Sequence, residues 1–232
     1  MVQVSRRTAF TGSALTRLLA RLADIDVSEP RHAFADRLSQ WLGWADAISL
    51  SSVLSGSPAA VPAGVRAGRG SEEGECIRLR GVLAKAIAED GALATEKERA
   101  ETAANFSPYR RHYLARQQTM EVAIGPLRER LRASLAARSP AMAQLAAVDA
   151  VMEQALGAQE HNLLSAVPGL LEKHFVRLRQ AHLALPDEPE GGPPPLAWQD
   201  VFCKDMQAVL LAELELRFEP VEGLLEALRK SS

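Results

Sequence analysis

One stretch decides the fold: SPYRRHYLARQQTMEVAIGPLRERLRASLAAR at 107–138, followed by SPAMAQLAAVDAVMEQALGAQEHNLLSAVPGLLEKHFVRLRQAHLAL at 139–185. Each half opens with Ser-Pro, a serine that can cap a helix and a proline that suits its first turn. Apolar residues then recur at steps of three and four, which is the spacing of a buried helix face. The residues at this spacing are Tyr113, Met120, Ile124, Leu127, Leu131, Leu135, Leu145, Val148, Met152, Leu156, Leu163, Val167, Leu170 and Leu178. The stretch predicts two long helices that form a hairpin.

The composition extends this prediction to the whole chain. Hydrophobic residues make up 47% of the 232 residues, enough for a sizeable core, and aromatic residues only 5%. Alanine and leucine favour helix, and no run alternates apolar and polar residues as a half-buried strand does. The sequence therefore predicts an all-α protein, an elongated helical bundle built on the long hairpin. A further helix predicted at about 196–230 carries another apolar stripe, from Trp198 to Leu228.

Prolines within the helical patterns predict kinks. Pro126 and Pro168 lie inside the two long helices, and Pro220 lies inside the last one. A proline in a helix interior removes one hydrogen bond and its ring collides with the preceding turn. Each of these helices is therefore expected to bend or break at its proline.

Glycine and proline content divides the chain into regions. Residues 1–54 hold short amphipathic helices, and 55–70 (SGSPAAVPAGVRAGRG) is a flexible linker with no periodicity. Residues 71–232 form the long-helix bundle, interrupted at 186–195 by PDEPEGGPPP, a second linker.

No motif for catalysis or metal binding occurs in the chain. It contains no Cys-x-x-Cys, no His-Glu-x-x-His and no Gly-x-Ser-x-Gly. Cys76 and Cys203 lie far apart within helical patterns, which favours free thiols in a reducing compartment. No apolar run approaches the ~18 residues that a membrane-spanning helix needs. The expectation is a cytoplasmic protein, not an enzyme, with no cofactor, no metal and no direct membrane insertion.

Arginine is concentrated in the first long helix, although the formal net charge of the chain is only −2. The candidates for contact with nucleic acid or a partner are Arg110, Arg111, Arg116, Arg128, Arg130 and Arg132. Arginines interleaved with Tyr109 and Tyr113 could neutralise and stack on a nucleic acid strand. The alternative is that the tyrosines belong to the core while the arginines reach solvent or pair with acidic helices.

Two tryptophans, Trp41 and Trp44, lie in the N-terminal region. Exposed tryptophans anchor many protein interfaces, so this pair is a candidate partner anchor. The alternative places both in the core, where aromatic residues at helical spacing are usually found.

Several segments along the chain resemble one family of bacterial proteins of about this length, a domain of unknown function. The segments are RRTAFTGSALTRLLARLADIDV (6–27), FADRLSQWLGWADAISL (34–50), FSPYRRHYLARQQTMEVAIGPLR (106–128), VDAVMEQAL (148–156), VPGLLEKHFVRLRQAH (167–182) and VFCKDMQAVLLAELELRFEPVEGLLEAL (201–228). Members of this family resemble proteins that are encoded next to the genes for a MotA/TolQ-type membrane channel and an OmpA/MotB-like peptidoglycan-binding protein. That gene arrangement resembles the Zorya anti-phage systems. The family resemblance implies no catalytic residues for this chain.

The resemblance implies an accessory protein that contacts other proteins through helices, with the coiled-coil tail of a proton-driven membrane channel as the expected partner. The alternative function is a nucleic-acid-binding effector that uses the arginine-rich helix face. A third alternative is a homodimer whose long hairpins pair between two copies.

Overall fold

The computed structural model describes residues 13–24, 34–56, 71–89, 105–184 and 197–231. These residues form helices and turns with no strand, so the predicted all-α fold is confirmed for them. The helices are α1 (Ala14–Ala23), α2 (Phe34–Trp41), α3 (Trp44–Ser55), α4 (Ser71–Glu89), α5 (Ser107–Ala136), α6 (Pro140–Ser165), α7 (Val167–Leu183) and α8 (Ala197–Lys230). Most of the two predicted linkers lies outside the described residues.

The core runs along the interface between α5 and α8, which is the most extensive helix contact in the bundle. Every residue of the predicted α5 stripe, from Tyr113 to Leu135, is buried, as is the predicted α8 stripe from Trp198 to Leu228. Burying one such leucine or phenylalanine side chain stabilises the fold by about 1.5–3 kcal/mol. The predicted hairpin of α5 and α6 is also present, but α8 rather than α6 is the main partner of α5.

The predicted stripe on α6 is wrong in detail. Leu145 and Leu163 are 40% and 61% exposed, whereas their neighbours Ala146 and Leu164 are buried. The physical reason is that α6 packs against α5 on one side and α3 on another. Its sequence is rich in alanine and leucine all round, so periodicity alone does not define the buried face.

The three internal prolines have different outcomes. Pro168 follows a turn at Ala166 that separates α6 from α7, so the predicted break occurs there. Pro126 and Pro220 lie inside α5 and α8, and neither helix ends at its proline. The hydrogen bond that each proline removes is therefore not sufficient by itself to end a helix.

The remaining helices surround this centre. Helix α1 buries Leu15 and Leu22 against α7 and α8, as its amphipathic pattern predicts. Arg177 of α7 donates a hydrogen bond to the carbonyl oxygen of Leu22. The rings of Tyr109 and Phe202 lie 5.0 Å apart, edge to face, and join the start of α5 to α8.

Helix α3 lies at the surface of the described fold. Helix α3 packs on α6 without a single fully buried residue. The Nε2 of Gln144 donates to the carbonyl oxygens of Val53 (3.0 Å) and Leu54 (2.9 Å), which fixes the end of α3. At its start, the Gly43 N–H donates to Asp46 Oδ2 at 3.0 Å. These bonds hold α3 on the surface of the bundle, with its outer face uncovered by the described residues.

Candidate partner-binding site

Two of the predicted contact arginines are bound within the hairpin. Arg128 donates to both carboxylate oxygens of Asp149, at 2.9 and 2.7 Å. Arg132 donates to Asp149 at 3.1 Å and to Glu153 at 2.6 Å. The two arginine side chains are only 13% and 14% exposed. This geometry links α5 to α6 by charge-assisted bonds, so these guanidinium groups already have acceptors.

The other four predicted arginines are dispersed. Arg130 pairs with Glu75 of α4, and Arg116 is half-buried. Arg110 and Arg111 are exposed, while Tyr113 is fully buried. The interpretation of Tyr113 as a core residue is therefore confirmed. Of the six candidates, Arg110 and Arg111 are the pair that the structure leaves side by side at the surface.

A buried polar cluster that was not predicted joins α5, α6 and α8. Glu213 of α8 is completely buried and accepts hydrogen bonds from Tyr113 Oη at 2.6 Å and Gln117 Nε2 at 3.0 Å. Arg217, one turn along α8, donates to the same carboxylate through Nε at 2.9 Å. A signal was available, since Gln117 and Glu213 both fall within the apolar stripes of their helices.

Gln117 also compensates for the break in the α6–α7 segment. Pro168 has no N–H to donate to the carbonyl of Leu164, four residues before it. The Nε2 of Gln117 donates to that carbonyl at 3.2 Å. The proline bend is thereby tied to the buried cluster, because one amide group serves both Leu164 and Glu213.

Burial raises the pKa of Tyr113 far above its usual value. Loss of solvation is the main cause, and the neighbouring Glu213 carboxylate adds to it by repulsion and by its hydrogen bond to the phenol. The phenol therefore stays protonated across the neutral pH range and donates its hydrogen bond to Glu213.

The two tryptophans lie at the corner between α2 and α3. Trp44 is 84% exposed and Trp41 is 37% exposed. Ile48, one turn after Trp44, is 54% exposed, and Leu54 near the end of α3 is 58% exposed. The core interpretation is therefore wrong for Trp44, because α3 turns its other side to α6. Trp44, Ile48 and Leu54, together with Trp41, are referred to below as the α3 apolar surface.

A groove beside this surface lies between α5, α6 and α8. It encloses about 440 Å³, and Trp41 forms part of its wall. The other large apolar side chains that line it are Ile124, Leu156, Leu163 and Leu216. Of the residues of the α3 apolar surface, Trp41 is the one that lines the groove.

Carboxylates dominate the charged lining of this groove. It carries Glu121, Glu153, Glu160 and Glu219, four carboxylates, against the two guanidinium groups of Arg128 and Arg217. Those two guanidinium groups are already bonded to Asp149 and Glu213. The exposed charge of the groove is therefore negative, and the feature is called the acidic groove below.

A second cavity lies between α4 and α8 and includes Cys76 and Phe218. Arg80 spans it, with its guanidinium carbon 5.9 Å from the centre of the Phe218 ring and ion pairs to Glu215 and Glu222. Burial, and next the Glu75 carboxylate, raise the pKa of the Cys76 thiol. Both cysteines are free thiols, Cys76 buried and Cys203 half-buried.

Two other kinds of site are absent from the described ranges. Within them, no three His, Cys, Asp or Glu side chains converge where a metal ion could bind. None of the helices described is both long enough and apolar enough to cross a membrane.

Comparison with known proteins identifies the family of the chain. No curated protein matches it significantly, and no solved structure does. One family model, described as "Protein of unknown function (DUF3348)", matches residues 1–230. The match covers α1 to α8, including the α3 apolar surface, the acidic groove and the buried cluster around Glu213. The chain therefore belongs to the DUF3348 family.

Proposed function

We propose that this protein is a non-enzymatic cytoplasmic adaptor that acts by helix-to-helix contact with a partner protein. The observation that carries the proposal is the exposure of Trp44, at 84%, beside Ile48 on a helix that buries none of its residues. Exposed tryptophan is costly to leave in water and is enriched at the energetic centres of protein interfaces.

The geometry of α3 supports this use of the surface. Asp46 is its one charged residue, and it is occupied with the N–H of Gly43 at the helix start. The remaining outer residues are alanine, serine, isoleucine, leucine and tryptophan. Low charge and a protruding aromatic side chain are the features of an interface core rather than of an ordinary solvated helix.

The proposed partner is the coiled-coil cytoplasmic tail of a MotA/TolQ-type channel, in a proton-driven motor complex that serves anti-phage defence. This part of the proposal comes from the resemblance to proteins encoded beside such channels. The α3 apolar surface supports it physically, because a coiled coil offers the apolar helix face that this surface could cover.

The experiment is co-purification of the full-length protein with the channel tail, expressed together. The test variant carries Trp44→Ser and Ile48→Ser. The control carries Val176→Ser and Leu183→Ser, which remove exposed apolar side chains from α7 (43% and 70% exposed). We expect the control to retain the tail and the test variant to weaken binding by roughly 30-fold, the loss typical of an interface anchor. Equal retention by both variants, or no retention by the wild type, would contradict the proposal.

The alternative function, binding of nucleic acid, rests mainly on Arg110 and Arg111, because Arg128, Arg130 and Arg132 are paired with carboxylates. It predicts duplex binding that weakens steeply with salt and is lost in an Arg110→Glu/Arg111→Glu variant. Binding that is absent at low ionic strength would remove this alternative.

A further inference from the structure

The acidic groove has the length and lining of a docking site for a helix. Its lining residues on α6 run from Glu153 to Leu163, about 15 Å of helix at 1.5 Å per residue. Its volume of about 440 Å³ holds a few side chains but not a helix backbone. A partner helix would therefore lie across the opening and insert apolar side chains at three- and four-residue spacing.

Exposed carboxylates edge this apolar floor. Glu121 of α5 and Glu219 of α8 are exposed, and no residue in the described ranges forms an ion pair with either. Glu160 of α6 has one long contact, 3.6 Å from Arg217, whose other bonds go to the buried Glu213. Three helices thus present negative charge around the opening. Complementary charge directs association and excludes partners of like charge.

Glycines keep the groove open. Gly125 and Gly157 line it from α5 and α6, and a Cβ atom added at either would meet no atom within 4 Å. Neither glycine is therefore required for close helix packing, although glycine is less favourable than alanine inside a helix. Their effect on the structure is to leave this space unfilled by the chain itself.

From these features we infer that the acidic groove binds a partner helix that carries lysine or arginine beside an apolar stripe. The inference rests on the proposed adaptor function, and it assigns the chemistry of the partner. Trp41 lines the groove and lies three residues before Trp44 in the sequence. The apolar stripe faces Ile124, Leu156 and Leu216, and its flanking cations face Glu121, Glu160 and Glu219.

The test uses two designed peptides and the full-length protein. Both are stapled helices of about 15 residues with the same leucine stripe, because unstapled helices of this length are marginal in water. One carries lysine on its polar face and the other glutamate. We expect the lysine peptide to bind at least about tenfold more tightly, measured by fluorescence anisotropy.

Variants then locate the binding. Glu121→Lys/Glu219→Lys reverses the charge of the groove edge, and Gly157→Leu fills the floor while adding a better helix former. Each variant is expected to weaken binding of the lysine peptide by about tenfold or more. Glu129→Lys/Glu172→Lys makes the same change in net charge at exposed sites that do not line the groove, and is expected to leave the Kd within about twofold.

The outcomes separate this inference from the adaptor proposal. If the two peptides bind equally, or if the groove and control variants behave alike, the inference is overturned. If the inference is overturned but the Trp44→Ser/Ile48→Ser variant still loses binding of the channel tail, the adaptor proposal stands without the groove. Loss of lysine-peptide binding in Gly157→Leu and in Glu121→Lys/Glu219→Lys, but not in the control variant, supports the inference whichever partner the cell supplies.

Discussion

Removal of the Glu213 carboxylate is the most direct test of how the bundle is held together. Glu213 is fully buried and accepts bonds from Tyr113, Gln117 and Arg217. In Glu213→Ala, Arg217 keeps only a long contact with Glu160, and the other two donors lose their shared acceptor. Breaking a buried ion pair from one side costs about 3–5 kcal/mol, so we expect a loss of about 4 kcal/mol in the free energy of unfolding.

The measurement is unfolding in urea, monitored by the circular dichroism signal of the helices. Free energies of unfolding are compared between variants whose dependence on urea concentration (m-value) is the same. Glu213→Gln keeps the shape and one acceptor oxygen, so about 1–2 kcal/mol is expected. Glu222→Ala is the control, because that carboxylate is 55% exposed and pairs with Arg80 at the surface. Exposed pairs contribute about 1 kcal/mol or less.

An apolar replacement of the whole cluster tests the reasoning further. Tyr113→Phe/Gln117→Leu/Glu213→Leu/Arg217→Met removes the three donors and their shared acceptor together, so within the cluster only the Leu164 carbonyl loses a partner. Most of the stability lost in Glu213→Ala should return, since buried ion pairs are often replaceable by packed apolar residues. A loss below about 1 kcal/mol in Glu213→Ala would refute the account of an obligatory buried acceptor.

Four further predictions follow from single sites. Because burial keeps Tyr113 protonated in the folded chain while an unfolded tyrosine ionises near pH 10, stability should fall above about pH 10 by up to ~1.4 kcal/mol per pH unit. Subtracting the profile of Tyr113→Phe isolates this slope, and identical profiles would contradict it. Thiol-reagent kinetics at mildly alkaline pH should show Cys203 labelled first and Cys76, buried with a raised pKa, only on unfolding; Cys76→Ser should retain the fast phase. Gly81→Ala, inside α4 with no atom within 4 Å of the new Cβ, should add about 0.5–1 kcal/mol in urea unfolding. Trp44→Ser should change stability by no more than about 0.5 kcal/mol in the same assay, because the side chain is 84% exposed.

The parts of the fold that were predictable are those where one pattern has one physical cause. The buried stripes on α5 and α8 were predicted, because large apolar side chains at helical spacing leave only one face to bury. The Ser139-Pro140 start of α6 follows from capping chemistry, and Ser139 accepts the N–H of Met142 at 3.3 Å. The missing N–H of a proline was not sufficient as a signal, since the helix ends before Pro168 but continues through Pro126 and Pro220.

The candidate site was less predictable, because it depends on which helices are neighbours. Trp41 and Trp44 could be chosen from the sequence as an anchor, but their helical spacing favoured a core assignment. Only the position of α3 on α6 showed that Trp44 faces outward. The acidic groove could not be found in the sequence, since Glu121, Glu160 and Glu219 lie on three helices far apart along the chain.

By itself the sequence determined that the described residues are helical, where α5, α6 and α8 begin, and which faces of α5 and α8 are buried. Those properties arise from local backbone preferences and from side-chain spacing within a single helix. Tertiary structure alone decided that Glu213 contacts Tyr113 and Gln117 and that Arg128 and Arg132 bind Asp149. It also decided that Gly125 and Gly157 line the acidic groove. These contacts join residues distant in sequence, and their energies depend on packing between helices, which no local pattern encodes.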